Sequence, residues 1–336
     1  MIANTPRRQH AKKRVTLASL CVGVLALSCA GCIAAPTATP SPVSFHALKF
    51  DTRLGSFTAI LYENETPATS AFIMKLVQAK YYDGRQFGRT IPGFVIQEVD
   101  RTGGTTDQRE HVKLEAPTAV AFSAGAFGIA RDSDPDSGGS EFFVMDHPTS
   151  TLYGNYTAFA QVVDGLDVVH KIARAAAVNT GPASAVGSPP GSPVYFGVHD
   201  RVPVDPIVMT SVTLVDVTLP ADVARHYPLR VGNSTRTDTV RATLEWPADL
   251  RAGVASALAW YAWPRDTSAQ GQAQDPAPID LSGATVVVGN ATLPVTADVP
   301  NGVALFSWTP LSSGTWTLHL VRGGSELAAA DVDVLT

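Results

Sequence analysis

The distribution of hydrophobic and polar residues along the chain predicts a protein built mainly of β-strands, which fall into two groups. Short runs rich in β-branched and aromatic residues, bounded by Gly, Pro, Asp and Asn turns, are typical of strands. The first group of predicted strands comprises residues 45–50, 56–63, 141–145, 157–163 and 207–217, with a strand followed by a loop in 119–131. The second group comprises residues 240–244, 256–262, 284–288, 303–308 and 315–321.

Two stretches within the first group show helical spacing instead. One begins at Thr66-Pro67, where threonine is a good N-cap and proline suits the first helical position. Its apolar residues share one face, at Phe72, Ile73, Leu76 and Val77. The second helix carries Leu166, Val169 and Ile172 on one face. A Gly/Pro/Ser-rich loop is predicted for residues 179–206. Many strands with two helices predict a closed β-barrel whose ends the helices cover, in residues 44–218.

The composition changes beyond residue 220, where all five tryptophans lie. The spacing of the strands there predicts an immunoglobulin-like β-sandwich in residues 219–336. Trp260, Tyr261 and Trp263 fit either an exposed platform that stacks sugars or peptides, or side chains that alternate between core and surface, and the second interpretation is favoured. Residues 270–278 are predicted to form a polar loop. The sequence assigns no role to this domain.

Residues 1–31 have the features of an export signal. A basic cluster, formed by Arg7, Arg8, Lys12, Lys13 and Arg14, precedes an apolar stretch at residues 15–27. That stretch is shorter than the roughly 20 apolar residues that span a bilayer. Small residues ahead of Cys32 resemble a lipoprotein signal, in which the thiol is acylated. Lipidation at Cys29, ordinary cleavage and an uncleaved anchor are the alternatives.

Residues 32–43 form a Pro/Thr/Ser-rich tether with Pro36, Pro40 and Pro42. Such a composition gives a semi-stiff spacer, which would hold a folded domain away from a membrane surface. We therefore expect the protein at the extracytoplasmic face of the cell membrane, held by a lipid anchor, or secreted.

Composition and charge exclude several classes of function. The apolar fraction of 45% and charged fraction of 16% suit a globular protein. The net charge is −5 and basic residues cluster only near the start, so nucleic-acid binding is not expected. All three cysteines, Cys21, Cys29 and Cys32, lie in the first 32 residues, so the rest of the chain can form no intramolecular disulfide.

Metal and cofactor binding are not expected either. Asp132, Asp134 and Asp136 suggest a calcium loop, but Ser137 and Phe143 occupy the places where that loop needs glycine and glutamate. A solvated turn is the favoured interpretation. The histidines share no metal-ligand spacing.

The residues that carry chemistry centre on 87–100, which read Phe-Gly-Arg-Thr-Ile-Pro-Gly-Phe-Val-Ile-Gln-Glu-Val-Asp. Arg89 stands ahead of a Pro-Gly turn and a short apolar run that reaches Gln97. Three further motifs lie at residues 81–84 (Tyr-Tyr-Asp-Gly), 139–143 (Gly-Ser-Glu-Phe-Phe) and 152–159 (Leu-Tyr-Gly-Asn-Tyr-Thr-Ala-Phe). In order and spacing, over residues 45–217, these motifs resemble the cyclophilins. Cyclophilins are peptidyl-prolyl cis–trans isomerases built on an eight-stranded antiparallel barrel capped by two helices.

The resemblance implies a function for particular residues. Arg89 corresponds to the catalytic arginine, with Gln97 beside it. The implied substrate-binding residues are Phe94, Val95, Ala130, Phe143, Leu152 and Tyr156, the last standing where many members have a histidine. The implied partners are proline-containing peptides and unfolded or partly folded proteins.

The chemistry of an Xaa-Pro bond suits these residue types. Amide resonance gives a rotation barrier of about 18–20 kcal/mol, and no bond is broken in the rotation, so neither nucleophile nor metal is needed. An apolar pocket can hold the proline ring, while an arginine can donate to the prolyl nitrogen as the amide twists.

Three departures from the family pattern, at Gly88, Glu98 and Glu141, motivate one alternative, a catalytically weak module that binds proline peptides or acts as a holdase. Another is a surface adhesion protein in which the sandwich carries the biology.

Overall fold

The structure, a computed structural model, describes residues 41–99, 110–116, 120–182, 199–233, 235–236, 240–264 and 278–336. Only the backbone is described at residues 179–182, 199–200 and 235–236. The predicted export signal, the candidate lipidation sites Cys29 and Cys32, nearly all of the tether and most of the predicted polar loop at 270–278 lie outside the described residues.

The first group of strands forms one eight-stranded antiparallel sheet in the order β10-β1-β2-β7-β5-β6-β4-β3. Its members are β1 (Val43–Thr52), β2 (Gly55–Leu61), β3 (Phe87–Ile91), β4 (Val95–Glu98), β5 (Ala126–Ile129), β6 (Phe142–Met145), β7 (Ala158–Asp164) and β10 (Met209–Leu219). The two edges of the sheet approach each other where Gln86 pairs with Val208. The Phe87 amide also donates to the Ile207 carbonyl at 3.0 Å. The predicted barrel is confirmed.

Both predicted helices are present, as α1 (Pro67–Gln78) and α2 (Leu166–Ala173). Ile73 and Val77 of α1 are buried in the barrel core. The N-terminus of α1 is capped from a distance, because the Glu115 carboxylate accepts hydrogen bonds from the amides of Ala68 and Thr69 at 3.1 and 2.8 Å. An anion at this end also complements the helix dipole. No helix in the described ranges is long and apolar enough to cross a bilayer.

Two predictions for the barrel's connections need correction. Within residues 120–131 a loop precedes the strand, since Gly125, at a φ of +77°, ends a turn that leads into β5. The predicted loop at 179–206 overlaps an antiparallel pair, β8 (Ala177–Pro182) and β9 (His199–Pro203). Loop composition hid this pair, because glycine, proline and asparagine are depleted in strands generally.

The second group of strands forms a sandwich with its own apolar core. Its strands are β11 (Arg230–Val231), β12 (Thr235–Arg236), β13 (Val240–Trp246), β14 (Ser256–Pro264), β15 (Ala284–Val288), β16 (Ala291–Pro294), β17 (Thr296–Asp298), β18 (Val303–Trp308), β19 (Gly314–Arg322) and β20 (Ser325–Val334). A short helix α3 (Ala221–Ala224) follows the barrel, and a 3₁₀ turn spans Val299–Asn301.

The strand orders identify the type of sandwich. One sheet runs β11-β13-β14-β18-β17 and the other β16-β15-β19-β20. From β13 onward these orders match the A-B-E-D and C′-C-F-G sheets of immunoglobulin domains. The immunoglobulin-like prediction is therefore confirmed. All five predicted strands are found; the strands that sequence reasoning missed are mostly short, or are polar at alternate positions like β20.

Strand β14 is buried on both faces. Leu258, Trp260 and Ala262 point into the sandwich core. On the opposite face Tyr261 packs with Ala124 and Leu166 of the barrel. Trp263 is also buried, with its ring 4.9 Å from that of His147 in the barrel. An exposed aromatic platform is therefore wrong. Trp260 lies in the core, as the favoured interpretation predicts, but the opposite face of the strand is covered by the barrel and is not surface.

The same contact surface holds a carboxylate, Glu245 on β13. Its Oε2 accepts a hydrogen bond from the Ala124 amide at 2.8 Å. Burial raises the pKa of Glu245 from 4.5 to about 7, although the Ala124 amide opposes this shift. The nearby phenols of Tyr62, Tyr227 and Tyr261 ionise far above this range, since burial raises each pKa.

We expect this carboxylate to make the protein less stable as the pH rises from 5 to 8. The folded state of Glu245 binds its proton more tightly than the unfolded state, so the stabilisation is complete below pH 4.5 and lost through pH 7. Because the residue retains some exposure, we expect a loss of about 2 kcal/mol in the free energy of unfolding. Denaturant titrations at pH 5 and pH 8 measure it.

The variant Glu245→Gln should remove that pH dependence, since an amide oxygen can still accept from Ala124. A matched substitution, Glu326→Gln, changes an exposed carboxylate that pairs with His319 and should leave the dependence in place. An equal pH dependence in wild type and Glu245→Gln would contradict the assignment.

Candidate active site

The hairpin of β3 and β4 brings Arg89 and Gln97 together. The two residues are register partners, whereas Phe87 pairs with Glu98, so β3 contains one extra residue at Gly88. Such a bulge re-aims the side chains that follow it. The Arg89 guanidinium donates to the Gln97 Oε1 at 3.0 Å. The predicted pairing of the arginine with the glutamine is therefore present in the structure.

Alternation along the strands puts these residues on the outer face of the barrel. On β4, Ile96 points into the barrel core while Val95 belongs to a separate apolar cluster outside. On β6, Phe142 is in the core and Phe143 belongs to the outer cluster. Phe143 is also the register partner of Gln97. The candidate site is therefore an apolar cluster on the outer face of the sheet.

All six predicted substrate-binding residues meet in that outer cluster. Four are buried, namely Phe94, Val95, Phe143 and Leu152, and two are partly buried, namely Ala130 and Tyr156. The rings of Phe143 and Tyr156 meet edge to face, with centroids 5.7 Å apart. Aromatic and aliphatic walls beside one fixed cation fit a small apolar ring attached to an amide.

Residues that sequence reasoning missed pack against Phe143 in this cluster. Phe122 stacks on Phe143 with ring centroids 5.7 Å apart. Gly128 lies directly behind the Phe143 ring, and a side chain at position 128 would overlap that ring. A glycine inside a strand is itself a signal of such close approach, so the contact at position 128 could have been predicted from the sequence. Phe122 had no comparable signal.

A second cation, Arg131, also borders the site. Its guanidinium lies over the Tyr156 ring at 4.8 Å from the centroid. Its Nε and one terminal nitrogen donate to the Asn155 carbonyl at 2.9 and 2.7 Å. Arg131 therefore fixes the ring of Tyr156 and the loop that carries it. Arg131 directly follows the predicted substrate-binding residue Ala130, and this position was the one sequence signal that it borders the site.

Two of the three departures from the family pattern have local explanations. Gly88 is the extra residue of the bulge. The Glu98 side chain is buried and ion-pairs with Arg85 at 3.2 Å, on the face of β4 opposite to Val95 and Gln97. It therefore adds no carboxylate to the pocket wall. Glu141 is partly exposed, and its carbonyl accepts from the Ala130 amide at 2.9 Å.

The turn that precedes Phe94 is fixed by a buried carboxylate. Asp146 accepts from the Gly93 amide at 2.5 Å and from His170 Nδ1 at 2.7 Å, with an Arg174 nitrogen at 3.4 Å. Burial alone would raise the pKa of Asp146, but the His170 hydrogen bond and the neighbouring positive charges hold it at about 2. Asp146 is therefore ionised throughout the physiological range.

The next residue, His147, is neutral. Burial lowers the pKa of its imidazole to about 3, and this outweighs the attraction of Asp146. Its Nε2 lies 2.9 Å from the Asn301 carbonyl in the sandwich. Because a carbonyl only accepts, Nε2 carries the proton.

The acidic turn at Asp132–Asp136 uses its carboxylates locally. Asp134 accepts from the Asp136 amide, and Asp136 accepts from the Leu114 amide, both at 3.0 Å. Within the residues that the structure describes, no group of three or more His, Cys, Asp and Glu side chains could hold a metal ion.

Comparison with known proteins places this site in a family context. A family model described as cyclophilin type peptidyl-prolyl cis-trans isomerase/CLD matches residues 47–194. A peptidyl-prolyl cis-trans isomerase of Acinetobacter baylyi is 30% identical over 190 residues, which cover 52% of this chain and 91% of the relative. A peptidyl-prolyl cis-trans isomerase-like 1 of Aspergillus fumigatus is 36% identical over 128 residues, covering 37% and 79%.

A solved structure is also similar. It is a Cryptosporidium parvum cyclophilin type peptidyl-prolyl cis-trans isomerase crystallised in the presence of the dipeptide Ala-Pro. The match has 19% identity and a TM-score of 0.41, and it covers 50% of this chain and 98% of that one.

Proposed function

The chain belongs to the cyclophilin-type peptidyl-prolyl cis–trans isomerases, and we propose that it uses Arg89 to catalyse rotation about Xaa-Pro bonds in extracytoplasmic proteins. The observation that carries this proposal is the Arg89–Gln97 hydrogen bond of 3.0 Å at the edge of the outer apolar cluster. This arrangement places a fixed hydrogen-bond donor beside apolar side chains that can bind the proline ring.

The apolar walls act on the ground state and the transition state alike. Phe143, with Phe122 stacked behind it, gives the proline ring a flat surface, and Phe94 and Leu152 add further walls. Burying a proline ring removes apolar surface from water and holds one side of the peptide bond still. The acyl side of the bond is then the part that rotates.

Arg89 supplies the differential stabilisation. In the planar amide the prolyl nitrogen lone pair is delocalised, and it localises as the bond twists. A guanidinium that donates to this nitrogen therefore binds the twisted form more strongly than the planar form. Gln97 holds the fork in place, so little reorganisation is needed when the charge distribution changes. The proton stays on Arg89 throughout, because guanidinium is permanently charged.

The alternative of a weak binding module rested on the departures at Gly88, Glu98 and Glu141. The bulge at Gly88 leaves Arg89 opposite Gln97, and Glu98 points away from Val95. These contacts favour an active isomerase. An NMR-exchange assay with an Ala-Ala-Pro-Phe peptide tests it: accelerated cis–trans exchange by catalytic amounts of the chain is the expected result. Binding without acceleration would support the binding module instead.

The cellular location is a separate part of the proposal. A basic region, a short apolar stretch and small residues ahead of Cys32 support export with a lipid anchor. Placed there, the isomerase would act on proteins that fold after export. One acyl chain gives weak, reversible binding, whereas a lipoprotein-type modification carries several chains.

We expect Cys32→Ser to abolish the lipid modification. Without the thiol no thioether-linked lipid can form, so the protein should appear in the soluble extracytoplasmic fraction or as an uncleaved precursor. Fractionation with mass measurement of the mature N-terminus is the assay.

Cys29→Ser is the matched control and should remain membrane-bound. If Cys29→Ser alone abolishes lipidation, Cys29 is the modified residue. If neither variant changes the mass or the fractionation, the lipid anchor is wrong and a cleaved or uncleaved signal without lipid takes its place.

A further inference from the structure

The turn from Ile91 to Phe94 links the two strands that carry the catalytic pair. The Phe94 amide donates to the Ile91 carbonyl at 3.0 Å, and Gly93 adopts a φ of +74°, which favours glycine. Phe94 is the first residue after this glycine. The orientation of the Gly93–Phe94 peptide therefore determines where the Phe94 ring lies in the pocket wall.

The barrel holds one side of this turn. The Asp146 carboxylate accepts from the Gly93 amide, and the Asp146 amide donates to the Phe94 carbonyl at 2.8 Å. These two bonds hold the Gly93 amide and the Phe94 carbonyl, which lie on either side of the Gly93–Phe94 peptide. The Gly93 carbonyl accepts from a different donor.

That donor comes from the sandwich. Arg241 on β13 donates from its terminal NH2 nitrogen to the Gly93 carbonyl. Trp263 on β14 packs against Gly93 so closely that a side chain at position 93 would overlap the indole ring. Arg241 and Trp263 are register partners on adjacent strands, so they project from the same face of the sheet.

That face is directed away from the sandwich core. The neighbouring residues Ala242 and Ala262 are in the core, whereas Trp263 reaches His147 and lies 5.3 Å below the Arg174 guanidinium. The burial of Trp263 therefore comes from the barrel. A cation and an indole that project together onto one glycine turn form a specific contact, since an arginine desolvated here needs its carbonyl partner.

We infer that Arg241 and Trp263 are positioning residues of the isomerase site, through which the sandwich holds the Gly93–Phe94 peptide and so places the Phe94 ring. This inference rests on the proposed role of Phe94 in proline binding. It gives the C-terminal sandwich a function in the reaction, as a support for the wall of the pocket.

The test uses the full-length chain with Arg241→Met, Arg241→Lys and the matched control Arg251→Met. Arg251 is an exposed sandwich arginine that donates to the Thr336 carbonyl at 2.7 Å. We expect Arg241→Met to lower kcat/KM for an Xaa-Pro peptide about 5- to 10-fold, mainly through a higher KM. This is less than the full loss of a charged hydrogen bond, because Arg241 acts on the peptide only through Phe94. Arg241→Lys should recover part of the loss, and Arg251→Met should match wild type.

A double-mutant cycle separates positioning from general destabilisation. If Arg241 acts through Phe94, Arg241→Met should cause little further loss of kcat/KM in a Phe94→Ala background. The amide resonances of Gly93 and Phe94 should shift in Arg241→Met and stay unchanged in Arg251→Met. An unchanged kcat/KM in Arg241→Met, or losses that multiply fully with Phe94→Ala, would overturn the inference.

The same assay distinguishes a failure of the catalytic role of Arg89 from a failure of the positioning role of Arg241. If Arg89→Ala keeps full activity, the proposed catalytic role fails whatever Arg241 does. If Arg89→Ala is inactive and Arg241→Met behaves as wild type, the catalytic role stands and only the positioning role of the sandwich is lost.

Discussion

Arg89→Ala should reduce kcat/KM for an Xaa-Pro peptide by about 100- to 1,000-fold, which is the typical loss when one preorganised donor to a developing charge is removed. The apolar walls of the pocket remain, so peptide binding should weaken far less than turnover. Arg89→Lys should lie between wild type and Arg89→Ala, because lysine keeps the charge but not the planar fork that Gln97 holds. NMR exchange and a protease-coupled assay measure both quantities.

The control for this prediction is Arg53→Ala. Arg53 is an exposed barrel arginine that donates to the carbonyls of Asp205 and Pro206. Its removal should leave turnover unchanged. Unfolding midpoints of all three variants should stay close to wild type, since Arg89 is only partly buried. Full activity in a folded Arg89→Ala protein would exclude the mechanism.

Asp146→Ala should destabilise the protein by about 3–5 kcal/mol, as expected when one partner of a buried charge cluster is removed. The substitution leaves His170 and Arg174 without their buried counter-charge, and the Gly93 amide without its acceptor. Activity should fall as well, because the same carboxylate holds the turn that carries Phe94. Denaturant titration at pH 7 gives the free energy of unfolding.

The pH dependence of this effect has a definite sign. The pKa of Asp146 is about 2 in the folded protein, below its value of 3.8 when exposed. Its stabilisation is therefore complete above about pH 4 and is lost as the pH falls through 2, by about 2 kcal/mol. The difference in stability between wild type and Asp146→Ala should therefore narrow by about 2 kcal/mol at low pH.

Asp167→Ala is the matched control on α2. Asp167 forms an exposed pair with Lys171 at 2.7 Å, and such pairs contribute less than about 1 kcal/mol. If Asp146→Ala costs no more than Asp167→Ala at pH 7, the buried cluster does not stabilise the fold.

The catalytic hairpin could be predicted from the sequence because its information is local. A Pro-Gly turn between two short strands sets Arg89 opposite Gln97, and the nine residues from Arg89 to Gln97 contain the whole turn. The walls at Phe143 and Tyr156 depended on the resemblance to a family, because their approach to Phe94 is a long-range property of the sheet.

Two parts of the site could not be predicted from local pattern. The bulge at Gly88 shifts the register by one residue, and a period-of-two argument cannot detect such a shift. Phe122 reaches Phe143 from a loop that precedes β5, so its role depends on the folded path of the chain.

The contact between sandwich and barrel could be predicted from the sequence only in part. The run from Ala257 to Trp263 is apolar at every position, which is the pattern of a strand covered on both sides. Sequence alone does not say what covers the second face. The approach of Trp263 to Gly93 joins residues far apart in the chain, and only the folded arrangement shows it.

The two covered faces of β14 also determine which amino-acid substitutions this strand can tolerate. Along β20 buried and exposed positions alternate, so that Asp331 and Asp333 face water beside buried Ala330 and Val332. A strand of that kind accepts polar substitutions at every second position. Along β14, from Leu258 to Trp263, each position is in contact with either the sandwich core or the barrel. Mutational tolerance should therefore be low throughout this segment.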